Sequence, residues 1–75
     1  MPRPIHIIAM DIVRTWHPVN LYASPYLTAM LQIKLIKDDY GADDARGIVL
    51  YFLSNATTWR GSDARRIKAE LRALL

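Results

Sequence analysis

The segment 43–59, DDARGIVLYFLSNATTW, decides the fold class. By residue type alone Val49 to Leu53 reads as a strand, because β-branched and aromatic side chains favour sheets. The spacing says otherwise. Ala45, Ile48, Val49, Phe52, Ala56 and Trp59 recur at the three- and four-residue steps that place apolar groups on one face of a helix. Asp43 and Asp44 stand where a helix start wants a capping oxygen and negative charge near the positive end of the dipole. The segment is therefore expected to be a helix starting at Asp43, and the chain to be all-α.

Upstream, Ser24-Pro25 offers a capping hydroxyl followed by a proline at the first helical position. The spacing predicts a helix over 25–39. One stripe is Tyr26, Ala29, Met30, Ile33, Ile36 and Tyr40, a second is Leu27, Leu31 and Leu35, and Gly41 supplies the left-handed C-terminal residue. Further upstream, Pro4 to Trp16 forms a first helix with Ile5, Ile8, Ala9, Ile12 and Trp16 on one face, while Ile7 and Met10 lie off it. His17-Pro18 ends that helix, since the residue before proline avoids the α region, and residues 17–23 connect it to the next. Downstream, Gly61-Ser62 closes one helix and caps another that runs from Asp63 to the C-terminus, with Ala64, Ile67, Leu71, Leu74 and Leu75 inward. On it, Arg66 and Glu70 stand four apart and are expected to pair.

These four helices make one domain over residues 1–75, a compact bundle. The chain has 75 residues, 52 % of them hydrophobic, and no Cys, which removes disulfides, thiolate chemistry and Cys-based metal sites. No apolar run approaches the ~18–20 residues of a membrane span, and the N-terminus lacks the pattern of a signal peptide. The expected setting is the cytoplasm, with no membrane contact. A chain this short has a thin core. Ile7, Met10, Leu50 and the Leu27-Leu31-Leu35 stripe add apolar surface beyond that core, so a homo-oligomer, with a helical dimer as its simplest form, is expected.

Charge is the most informative feature. Residues 1–58 carry equal numbers of basic and acidic groups, whereas the formal net charge of +3 resides in 59–75. There Arg60, Arg65, Arg66, Lys68 and Arg72 face only Asp63 and Glu70, and Arg65, Lys68 and Arg72 recur at i, i+3, i+7. These five basic residues are the candidate partner- or phosphate-binding site. Arg suits bidentate contact with carboxylate or phosphate, although cations near a helix C-terminus also complement the dipole and solvate an exposed face. A helix-turn-helix with Gly61 as its turn glycine would put Arg60 and Ser62 at positions that should be apolar, so that motif is weak.

Other clusters carry less. Asp38, Asp39, Asp43 and Asp44 lack the alternate ligand positions and terminal Glu of a calcium loop, so neither a metal nor a cofactor is expected. His6 and His17 can be grouped with Asp11 and Ser24 only on paper, without spacing that supports catalysis; no catalytic residue is assigned and no enzyme is expected. Trp16, Phe52 and Trp59 belong to core faces, and Tyr22 and Tyr51 are freer. Trp59-Arg60 could pair a ring with a guanidinium in the manner of single-strand binders, but the preferred reading is that Trp59 plugs the end of the bundle while Arg60 reaches solvent. Gly47, Ser54 and Thr58 form a stripe of small residues where another helix could approach.

The segments 23–27 (ASPYL), Tyr40-Gly41, 51–56 (YFLSNA), 59–61 (WRG) and 64–71 (ARRIKAEL) resemble those of short uncharacterised proteins of actinobacteria and their bacteriophages. The resemblance covers most of residues 23–75 and implies a phage or bacterial accessory protein, with no site residues to carry over. The reading is a small non-enzymatic helical binding protein that engages a protein partner through a helical surface. The alternative is a nucleic-acid-binding protein that uses the basic C-terminal helix on phosphates.

Overall fold

A computed structural model of the chain describes residues 2–40 and 43–75. Four helices, α1 (Ile5–Thr15), α2 (Ser24–Met30), α3 (Ala45–Ser54) and α4 (Ser62–Leu74), pack into an all-α bundle. A two-residue antiparallel ladder, β1 (Asp39–Tyr40) with β2 (Asp43–Asp44), precedes α3, with Asp39 opposite Asp44 and Tyr40 opposite Asp43. The helices pair as α1 with α4 and α2 with α3, and α1 also touches α2. No helix among the described residues is long and apolar enough to cross a membrane.

The outer two helices follow their apolar periodicity. On α1, Ile5, Ile8, Ala9 and Ile12 are buried, and Ile7 and Met10 lie exposed on the outer face as the spacing predicts. On α4, Ala64, Ile67 and Leu71 are buried, with Leu74 and Leu75 packed at the margin. One contiguous core joins these residues to Leu27, Met30, Ile33, Ile48, Val49, Phe52, Ala56 and Trp59.

The middle helices are shorter than predicted. α2 ends at Met30 rather than near Asp39, so Leu35, Ile36 and Tyr40 are not on a helix. After Leu31 the backbone tightens, with Gln32 N–H donating to Ala29 O at 3.0 Å and Ile33 N–H to Met30 O at 3.2 Å. The chain then turns so that Ile33 is buried and the Lys34 carbonyl accepts the Ile5 N–H at 2.8 Å. Pro4 occupies the N-cap of α1 without a side-chain cap, so that carbonyl satisfies one of the amides which a helix start leaves unpaired. Ala23, not Ser24, holds the cap position of α2, with Ser24 already helical. The predicted C-terminal role of Gly41 lies outside the described residues.

Capping of α3 falls to Asp44, whose Oδ1 accepts the Gly47 N–H at 2.7 Å. The helix stops at Ser54 rather than continuing to Trp59, and the Ala56 N–H steps to Leu53 O at 3.2 Å and the Trp59 N–H to Ala56 O at 3.1 Å, three-residue turns in place of the α-helical ladder. Ser54 Oγ donates to Leu50 O at 3.0 Å and Asn55 Nδ2 to Tyr51 O at 2.8 Å, the local competition typical of Ser and Asn. Ala56 and Trp59 reach the core from the following turn instead. The small-residue stripe is therefore not a helix face: Gly47 is in the first turn against Asp44, Ser54 ends the helix and Thr58 lies beyond it.

Gly61 takes the N-cap of α4 with φ 109° and ψ −178°, a region open essentially to glycine alone. A Cβ there would meet no atom within 4 Å, so substitution is opposed by the backbone and not by packing. Gly61→Ala is expected to lower stability by ~1–3 kcal/mol, read in urea as a lower midpoint with an unchanged slope.

Candidate anion-binding pocket on α4

The end of α1 and the entry to α4 are held together by aromatic contacts. Trp16 stacks on Trp59 with ring centroids 5.1 Å apart and planes 7° from parallel, and meets Phe52 edge-on at 6.2 Å. From Trp59 the chain passes through Arg60 and turns at Gly61 into α4. This brings Arg60 beside Arg65, Lys68 and Arg72, which share one flank of the helix. These four cations, with Thr57, Trp59, Gly61 and Ala64, line a concavity of about 390 Å³.

Lys68 is fixed in this wall. Its Nζ donates to the Trp59 carbonyl at 2.6 Å and lies 5.9 Å from the centroid of the Trp59 ring. Partial burial lowers its pKa, and the neighbouring charges of Arg72 and Arg60 lower it further. Among the described residues no carboxylate lines the concavity, and Arg60, Arg65 and Arg72 form no ion pair. The first turn of α4 has no side-chain cap, and its acid, Asp63, is outside the lining of the concavity.

Arg66, the fifth predicted contact, is elsewhere. It lies on the opposite flank of α4, where Nη1 reaches Asp11 Oδ2 at 3.1 Å and Nη2 reaches Asp63 Oδ1 at 3.2 Å. The expected Arg66–Glu70 pair is replaced, because Arg66 is taken by Asp11 and Asp63 and Glu70 by Arg3. Glu70 accepts from Arg3 Nε at 2.7 Å and from Arg3 Nη2 at 2.5 Å. Asp11, only 8 % exposed, accepts from three arginines: Arg14 at 2.6 Å, and Arg3 and Arg66 at 3.1 Å each.

The sequence pattern gives Asp11 no role beyond a catalytic grouping that no spacing supports. Its one local sign was a charged residue beside the apolar face of α1, and its partners Arg3 and Arg66 lie 8 and 55 positions away. The arrangement is structural, and neither histidine forms a hydrogen bond with Asp11. Of the acidic cluster, Asp44 caps α3, and Asp38 accepts the Leu35 N–H at 2.9 Å. Among the described residues no three potential ligands gather to hold a metal.

No protein-family model matches the sequence, and neither a curated protein nor a solved structure matches it.

The hydrogen bond from Arg66, with those from Arg14 and Arg3, holds the Asp11 carboxyl down to about 2 against the opposing effect of burial. A depressed carboxylate contributes stability that is complete above its unfolded pKa of ~3.9 and lost as pH falls through the folded value. Stability is thus expected to decline between about pH 4 and pH 2. Asp11→Asn should lower it by ~1–3 kcal/mol at pH 7 and flatten that acid limb, as followed by urea unfolding at stepped pH.

Proposed function

We propose that this chain is a small non-enzymatic binding protein that engages an acidic segment of a protein partner through the cationic pocket of α4. The carrying observation is the gathering of Arg60, Arg65, Lys68 and Arg72 around one concavity with no lining carboxylate among the described residues. Charge-assisted bonds from Arg are about twice as strong as neutral ones and match carboxylates in pairs. Mutual repulsion among the four cations is relieved when an anion enters.

Shape favours a protein partner over a duplex. The basic groups border a hollow rather than a projecting ridge, and Arg66, which would extend them across the helix, is committed to Asp11 and Asp63. α4 packs on α1 rather than pairing with α3 as a helix-turn-helix would require. Exposed Met10, Leu21, Tyr22 and Leu50 favour self-association as well. Light scattering is expected to show a mass above 8.6 kDa at high concentration.

The test is fluorescence anisotropy with a labelled decapeptide of Asp and Glu, and with mixed-sequence duplex and single-stranded DNA, at 50 and 200 mM salt. The peptide is expected to bind at the lower salt. The variant R60Q/R65Q/R72Q, which leaves Lys68 on the Trp59 carbonyl, should bind it ~10-fold or more weakly, at ~0.5 kcal/mol or more per lost pair. Tighter binding of DNA with a steep salt dependence would replace this reading with the nucleic-acid one. Binding of none of the three would overturn both.

A further inference from the structure

A second concavity lies at the other end of α4, where Leu74 meets the N-terminal arm and the loop that follows α2. Its volume is about 380 Å³, near the lower end of the ~300–1,000 Å³ range of small-molecule sites. The apolar wall consists of Pro2, Pro4, Ile5, Leu35, Ile36 and Leu74, and Arg3, Lys34 and Lys37 complete the lining.

The walls are fixed before any ligand arrives. The Ile5 N–H bonds the Lys34 carbonyl at 2.8 Å, fastening the loop to the arm. The loop is also closed on itself: the Leu35 N–H donates to the Asp38 carboxylate at 2.9 Å, and the Asp38 N–H to the Leu35 carbonyl at 3.0 Å. Ile5 belongs to the core, and Ile36 and Leu74 pack against it, so the floor is continuous with the core.

The polar lining is divided in its availability. The Arg3 guanidinium is committed to Glu70 and Asp11. Lys34 and Lys37 are exposed and, among the described residues, form no ion pair. Asp38, the nearest acid along the loop, directs its carboxylate to the Leu35 amide. Along the apolar part of the wall, Pro2 and Pro4 have no N–H and those of Ile5 and Leu35 are already bonded, so these residues present hydrocarbon and no free amide. A hydrocarbon tail needs none.

We propose that this groove binds a single-chain amphiphilic carboxylate of the size of a medium-chain fatty acid. Its tail lies against Ile5, Ile36 and Leu74, and its head sits between the ammonium groups of Lys34 and Lys37. This site is separate from the α4 pocket and stands whether or not that pocket binds a partner.

The test is titration of the ¹⁵N-labelled full chain with sodium decanoate below its micelle concentration, followed by amide shifts. Decanol and a short Leu- and Glu-containing peptide are titrated in parallel. Decanoate is expected to give saturable shifts confined to residues 2–5, 34–37 and 74. Decanol should bind at the same residues roughly three- to tenfold more weakly, the effect of two exposed ion contacts. K34Q/K37Q should bring decanoate to the affinity of decanol and leave decanol unchanged; both substitutions are at exposed positions outside the helices. Decanoate that fails to saturate, shifts at Arg60 to Arg72 instead, or equal affinities for decanoate and decanol on the unaltered chain would overturn the proposal. So would saturation of these residues by the peptide but not by decanoate, which would make the groove a protein contact.

Discussion

Asp11 joins three parts of the chain at one carboxylate. Arg14 reaches it from the next turn of α1, Arg3 from the N-terminal arm and Arg66 from α4. Arg3 extends the network to Glu70, so the antiparallel pair α1 and α4 is laced at two levels. A buried carboxylate without partners would be costly. Here the arginines remain partly exposed, so their solvation is largely kept while the acid is satisfied. The apolar faces of α1 and α4 supply the bulk attraction, and the network selects one register between them.

The same network shapes the surface. Arg3 and Arg66 are consumed in holding α1 to α4, and the acids Asp63 and Glu70 are consumed with them. Every acidic charge of the C-terminal helix is therefore drawn to one flank, leaving the cations of the other unopposed among the described residues. The net charge apparent from composition thus becomes a directional field by the way the pairs are distributed. That field converges where Gly61 bends the chain and brings Arg60 alongside Arg65 and Lys68.

What was legible in the sequence is what local spacing determines. The inward faces of α1 and α4, the helical nature of 45–54, and the basic character of α4 all follow from periodicity and charge within a few turns. The early end of α2 was not legible, because Ile33 leaves the helix to reach the core and the Lys34 carbonyl leaves it to meet the Ile5 amide, 29 positions earlier. In the sequence Arg66 groups with its neighbours for a similar reason, since the acid that claims it is on α1. Neighbouring Arg65 and Arg66 look alike in the sequence, but one helical step of ~100° puts them on opposite flanks. The groove at Leu74 was equally invisible, being assembled from both ends of the chain and a loop expected to be helix.

The stack of Trp16 on Trp59 has an optical consequence. The chain has two tryptophans, and they lie face to face at 5.1 Å with nearly parallel planes. All indole emission therefore originates at a single contact between the end of α1 and the approach to α4, close enough for the two transitions to couple. Trp59 is also a wall of the cationic pocket, with the Lys68 ammonium over its ring. The protein thus carries an intrinsic chromophore pair at the edge of that pocket, and its near-ultraviolet signal originates beside the hollow.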